Sequence, residues 1–247
     1  MFDKLRIAVS FLTVLPIRPP GDPQAGGLGR SSVWFPLVGA LLGCLLACGW
    51  LVLRLLFPEW LAAGLVVVLW AALTGGLHLD GLADCCDGLL SMTRPERRLE
   101  IMRDPRLGAF GGAGLALFLL IKVSALASIA PQRVLLALVL APVLGRWLIL
   151  LMAGQPMARP GGLGSEFARS SSWRCLLLAG LVPLGLVAMG GVRALMAAAL
   201  AHMAAFAVLN LAKTRLGGIT GDVMGLTVEL GELAVLLVYA AYLPFLA

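Results

Sequence analysis

Long apolar runs, broken by short polar or glycine-rich segments, organise the chain. About 20 consecutive apolar residues suffice for a helix to cross a bilayer. Seven stretches approach that pattern: Val33–Phe57, Leu61–Leu77, Ala113–Ile129, Val134–Gly154, Cys175–Gly190, Val192–Leu211 and Leu226–Leu246. Only Gly190 and Gly191 separate the fifth from the sixth. The second runs on into an acidic segment without a turn signal. The first residues differ. The apolar run from Ile7 to Ile17 is too short to span and has no small-residue cleavage site, so no cleaved signal peptide is expected. With Lys4 and Arg6 beside it, it reads either as an amphipathic helix at the interface or as a short buried or re-entrant helix. The predicted fold is therefore all-α. It is a polytopic transmembrane helical bundle of about seven spans with a short N-terminal interfacial helix, one integral membrane domain over residues 1–247 with no linker, low-complexity tail or convincing repeat.

Composition strengthens this reading. The chain is 60% hydrophobic and 13% charged, against about half and about a quarter in soluble domains. Its mean hydropathy is +0.98. The five cysteines form no CxxC pair and the two histidines stand far apart, so neither a zinc site nor a disulfide framework is expected. The thiols read as small buried hydrophobes.

The net charge of +6 belongs to the loops and reads as topology, with no nucleic-acid partner. Seven spans put the N-terminus and the loops after spans two, four and six on one side. Those segments carry Lys4, Arg6, Arg18 and Arg30; Arg94, Arg97, Arg98, Arg103 and Arg106; Arg159, Arg169 and Arg174; and Lys213 and Arg215. The opposite side has only Arg54, Arg133 and Arg193. The bias predicts that the richer side is cytoplasmic.

Against this apolar background the acids stand out. Asp80, Asp84 and Asp87 fall at i, i+4 and i+7, so a helix stacks them on one face. Each costs about 2.5–3.5 kcal/mol if it lies deep in a membrane. A divalent cation would offset both that cost and their repulsion, and hard oxygen ligands suit magnesium, manganese or calcium. The bland alternative is a solvated helix end. A second stripe, Asp222, Gly225, Glu229 and Glu232, enters the last span. It reads either as a functional acidic stripe or, for Glu232 above all, as ion pairing with Arg146 or Lys122 that holds helices together. Its glycines suit close helix approach.

The loop from Arg94 to Gly112 supplies Arg103, Arg106, Gly108 and Gly111. Arginine forks and free glycine N–H groups at a helix start both suit phosphate. Topology signalling explains the arginines equally well, and a turn with helix packing explains the glycines. No Walker motif is present. Arg146, in mid-span, reads as facing the bundle interior, where it pairs with an acid or stabilises phosphate charge. His78 lies off the Asp face and reads as a hydrogen-bonded core residue rather than a catalyst.

These segments together resemble the cobalamin synthase family of adenosylcobinamide-GDP ribazoletransferases. The resemblance covers most of the chain. It is carried by Phe11-Leu12-Thr13 to Pro16, Trp34 to Gly39, Gly76-Leu77-His78-Leu79-Asp80-Gly81-Leu82-Ala83-Asp84, Asp104 with Arg106 to Gly111, Ala158-Arg159-Pro160-Gly161-Gly162-Leu163-Gly164, and Gly218 to Asp222 with Gly225 and Glu229. It implies a magnesium-dependent phosphotransferase of the bacterial inner membrane that joins adenosylcobinamide-GDP to α-ribazole or α-ribazole 5′-phosphate and releases GMP. Carried onto this chain, catalytic and metal-holding roles are expected for Asp80, Asp84, Asp87, Asp222 and Glu229. Substrate contacts are expected from Arg103, Arg106, Gly108, Gly111, Arg146, Arg159 and Thr220. The implied partners are the two substrates and the bilayer, with a homo-oligomer or docked enzymes of cobalamin assembly as further expectations. CDP-alcohol phosphotransferases and intramembrane prenyltransferases offer related chemistry, but their acidic spacings are absent. A cation transporter is the reading from another class; it requires acids at mid-membrane depth with outlets on both sides.

Overall fold

Glycine and proline set the helix boundaries. A computed structural model describes residues 2–17, 27–159 and 161–243; Arg18, Pro160 and the last residues of the seventh expected span lie outside the described residues. The helices are α1 (Phe2–Leu12), α2 (Gly27–Ser31), α3 (Phe35–Leu56), α4 (Glu59–Thr74), α5 (Leu77–Leu90), α6 (Pro95–Ile101), α7 (Ala109–Ala127), α8 (Pro131–Ala153), α9 (Gly162–Ser170), α10 (Trp173–Leu216) and α11 (Gly221–Ala240), with a 3₁₀ turn at Ser32–Trp34. Pro36 and Pro131 sit in the first turns of α3 and α8, where an absent N–H costs nothing. No strand occurs among the described residues.

The helix running from α2 into α3, together with α7, α8, α10 and α11, is long and apolar enough to cross a bilayer, and α4 qualifies only jointly with α5. The axes of α4 and α5 differ by 95°. This corrects the expectation that the second span continues into the acidic segment. Gly75 (φ 62°) and Gly76 (φ 70°) both adopt left-handed backbone, which glycine alone enters freely. The Gly75 N–H closes α4 on the carbonyls of Ala71 and Ala72, and α5 leaves sideways. We therefore place α5, of 14 residues, outside the spans.

The 44 residues of α10 are not one rod. Gly191 breaks it with φ 62° and ψ −153°. Trp147 of α8 touches both halves: its indole N–H donates to the Leu176 carbonyl at 3.2 Å, and its ring packs on His202 at 5.1 Å between centroids. On a straight helix those two residues would lie about 39 Å apart. The chain therefore folds back at Gly191, as the Gly190–Gly191 boundary between the fifth and sixth spans anticipates. By length and composition the described helices supply five apolar spans, or six if the bent α4–α5 pair is counted as one, and the fold-back at Gly191 divides one of these in two.

The centre is built by backbone contact. A Cβ on Gly39 of α3 would meet the Pro142 carbonyl at 2.5 Å, and one on Gly43 would meet Val139 Cα at 2.5 Å. This Gly-x-x-x-Gly face presses α3 onto α8, as small residues do between membrane helices. α8 and α11 are buried on nearly all sides, whereas α7 and α10 expose Leu117, Leu120, Leu181 and Leu184. Lipid is the natural solvent for that surface.

The segments that seven spans assign to one side do meet. Gly29 of α2 donates its N–H to the Ser170 hydroxyl of α9 at 3.1 Å. Arg98 of α6 donates to the Arg215 carbonyl at 3.2 Å. The loop after α8 bridges the loop before α11, where Ala158 donates to Ile219 at 2.8 Å and Ile219 to Pro156 at 2.9 Å. Packed against α2 and α3, with Phe11 bordering the same openings as α5, α1 completes this end as a short helix that does not span.

Candidate active site

Two glycines bring the acids together. A Cβ on Gly81 of α5 would lie 2.8 Å from the Asp222 carbonyl oxygen, and one on Gly225 of α11 would lie 3.3 Å from that of His78. Only glycine lets the two backbones approach so closely. The crossing sets Asp80 and Asp84 of α5 beside Asp222 in the first turn of α11. Thr220 caps that turn: its hydroxyl accepts from the Val223 N–H at 3.3 Å and donates to Asp222 Oδ2 at 3.1 Å. The bridged loop delivers Arg159, whose Nη2 donates to Asp222 Oδ2 at 3.1 Å.

Negative charge exceeds positive here. Arg159 pairs with Asp222 and also acts on Asp84, which Asp222 and Asp80 oppose, and Arg103 adds a more distant cation toward Asp222. The half-buried Asp84 carboxyl is pushed up to about 7, first by burial and then by Asp222, Asp80 and Asp87, against the pull of Arg159. Among the described residues no three His, Cys, Asp or Glu side chains are close enough to hold an ion by themselves. Magnesium rarely asks for that; one or two carboxylates plus substrate phosphates are its usual ligands. The donor set and its uncompensated charge fit that mode.

Other expected residues are placed elsewhere. Asp87 lies on the same helix as Asp80 and Asp84, but its carboxylate accepts the N–H groups of Gly108 and Gly111 at 2.8 Å each. It caps α7, favourably placed at the positive end of that helix. This revises two expectations at once. Asp87 is occupied as a cap, and the Gly108 and Gly111 amides are not free for phosphate. A Cβ on either glycine would meet the same carboxylate at 2.3 Å.

Glu229 and Arg146 leave the site too. Lys122 donates to Glu229 at 2.7 Å and to Glu232 at 2.8 Å, and Arg146 pairs with Glu232. All four side chains are buried. Two cations meet two anions, with Lys122 also 4.1 Å from the Trp70 ring centroid. The alternative of helix-holding ion pairs is the one observed, and it extends to Glu229. Arg106 is exposed and engages Asp104 through two hydrogen bonds of 2.9 and 2.6 Å, which hold the Asp104 carboxyl down at about 2. Arg103 and Arg159 do line a common pocket. His78 is buried as expected, but its Nε2 has no hydrogen-bond partner among the described residues.

Three openings surround the acids. An apolar cavity of about 170 Å³ lies between α1, α5, α8, α9 and α11, with Asp80 and Asp222 on its wall. A basic pocket of about 400 Å³ lies at the start of α9, with Arg103, Arg159 and again Asp222. A third, of about 680 Å³, opens past Gly75, Gly76 and Asp80. Sequence reasoning missed Phe11, Phe167, Gly161, Gly162 and Ser165 as lining residues. The last three had a signal, since an arginine followed by glycines ahead of a short helix suits an anion. The two aromatics had none.

A family model described as cobalamin-5-phosphate synthase matches residues 4–240. The chain belongs to the cobalamin-5-phosphate synthase family. Its relatives named adenosylcobinamide-GDP ribazoletransferase include that of Pseudomonas syringae pv. syringae, 43% identical over 240 residues, spanning 95% of this chain and 97% of the relative. That of Pseudomonas fluorescens is 42% identical over 244 residues, 96% and 98% of the two chains. That of Stutzerimonas stutzeri is 44% identical over 235 residues, 94% and 95%. No solved structure matches. Membership in the cobalamin-5-phosphate synthase family favours the transferase reading over the CDP-alcohol phosphotransferase, prenyltransferase and transporter alternatives.

Proposed function

We propose that the chain transfers the phosphocobinamide group of adenosylcobinamide-GDP to α-ribazole or α-ribazole 5′-phosphate, releasing GMP and forming adenosylcobalamin or its 5′-phosphate. One observation carries the reading. Asp222, beside Asp80 and Asp84, borders a basic pocket of Arg103 and Arg159 in a chain that matches this family almost end to end. A ribose hydroxyl of the acceptor forms a new bond to phosphorus, and the bond from that phosphorus to the GMP oxygen breaks. Such transfer needs positioning and charge neutralisation more than covalent help. One or two of the carboxylates of Asp80, Asp84 and Asp222, together with phosphate oxygens of the substrate, would hold magnesium, which would supply neutralisation of diphosphate charge. The same carboxylate group gives the hydroxyl proton an acceptor. Arg103 and Arg159 orient phosphate oxygens. The α5–α11 glycine contact keeps the acids in register with them.

The reading places the protein in the bacterial inner membrane with the site facing the cytoplasm. The bias of basic residues toward that end supports the orientation. The test is direct. Purified protein in lipid, given adenosylcobinamide-GDP, α-ribazole 5′-phosphate and magnesium, should release GMP in step with cobalamin 5′-phosphate. Folded protein that releases none refutes the assignment.

A further inference from the structure

We propose that the acceptor nucleotide lies across Asp222, with its flat base in the apolar cavity and its 5′-phosphate in the basic pocket at the start of α9. This placement rests on the transferase activity above and assigns the acceptor its subsite.

The cavity selects the base by what it lacks. Its side chains include Phe11, Leu77, Ile149, Phe167 and Met224, and its volume is about 170 Å³. An apolar cavity of about 150 Å³ already takes benzene. A dimethylbenzimidazole base is flat and apolar, with a single free ring nitrogen. The cavity matches that count: His78, 5% exposed on its lining, has an Nε2 without a partner among the described residues. Guanine would bring N7 and O6 as acceptors besides its amino group; the wall offers carboxylates that accept, but among its side chains only the His78 imidazole could donate. Guanine therefore fits this cavity less well than the benzimidazole.

The pocket reads the other end of the same molecule. Gly161 (φ 87°) and Gly162 (φ 79°) turn the chain into α9, so the first N–H groups of that nine-residue helix open toward the pocket. Arg103 and Arg159 add charge. Ser165 adds a hydroxyl-bearing side chain: the residue is 5% exposed and lines the pocket. A serine hydroxyl beside two arginines suits a phosphate oxygen. Gly164, Gly221 and Asp222 border both spaces. A nucleotide with base and phosphate so placed brings its ribose hydroxyls to Asp222, where the new bond must form.

Two variants and three Michaelis constants test this. Ser165→Ala should raise KM for α-ribazole 5′-phosphate about tenfold more than KM for free α-ribazole. Leu77→Trp enlarges a partly exposed lining residue and should raise KM for both acceptors several-fold, while leaving KM for adenosylcobinamide-GDP within a factor of two. Thermal unfolding in detergent checks that both variants fold; should Leu77→Trp fail, Leu77→Phe replaces it. A rise confined to the donor's KM, or acceptor constants that do not move, overturns the placement. Wild-type protein that releases no GMP overturns the activity itself, which separates the two failures.

Discussion

Two groups of acids share α11 and are treated in opposite ways. Asp222 opens the helix, and Glu229 lies seven residues on, about 10 Å further along the axis. At the deeper level the protein completes its own charge balance, with Lys122 and Arg146 against Glu229 and Glu232. At the shallower level it leaves Asp80, Asp84 and Asp222 with Arg159 as their one direct ion pair among the described residues. Depth alone does not explain the contrast, because a further cation stands close by in Arg103, which lines the pocket without forming an ion pair with these acids among the described residues. Charges neutralised within the fold serve stability, whereas charges left open serve a ligand.

The largest expected effect breaks the closed set. Glu232→Gln leaves two buried cations facing one anion and should lower unfolding stability by about 3–5 kcal/mol. Chemical unfolding in micelles measures it, and GMP release per folded molecule should stay close to wild type. Next, Asp84→Asn should lower kcat by at least about 10²-fold, the scale of losing one electrostatic group at a reacting centre, without loss of fold. The same variant sharpens the contrast in stability. The Asp84 carboxyl titrates near 7 in the fold, above its ordinary 3.8. Between those values the folded state keeps a proton that the unfolded state has lost, so with divalent ions chelated stability falls as pH rises through that window. Asn at this position should flatten the slope and raise the melting temperature at pH 8. An unchanged slope would show that the open acids carry no strain.

Smaller effects should follow outside the two sets. Asp87→Ala removes the cap of α7 and should cost about 1–2 kcal/mol of stability, with activity lost only as fold is lost. Arg106→Ala should leave KM for both substrates within about a factor of two, because its exposed pair with Asp104 lies outside the pocket. A large loss of affinity in that variant would extend the open set to the loop.

Much of this was legible in the sequence, and the remainder was hidden for physical reasons. Hydropathy gives the crossings, and even the Gly190–Gly191 boundary reads correctly, because a membrane constrains length and polarity together. Asp80, Asp84 and Asp222 are legible because acids are scarce there. Partner choice is not. Helical spacing puts Asp222 and Glu229 on one stripe, and only the tertiary fold brings Lys122, 107 positions away, to one of them. Asp87 has the same sequence signature as Asp84, yet the arrival of α7 turns it into a cap. Gly75–Gly76 could equally have been a packing surface, and the left-handed backbone that makes it a corner leaves no mark on composition.

The closed set also has a consequence in time. Lys122 and Arg146 are synthesised 86 to 110 residues before the acids that neutralise them. At about 5–20 residues per second that is a delay of roughly 4–22 seconds. Until α11 arrives, two cations wait in a half-built bundle, each at a cost of about 2.5–3.5 kcal/mol at bilayer depth. The last helix is thus the clasp of the assembly, and because it begins at Asp222, the bundle closes and the acidic cluster is completed in a single event.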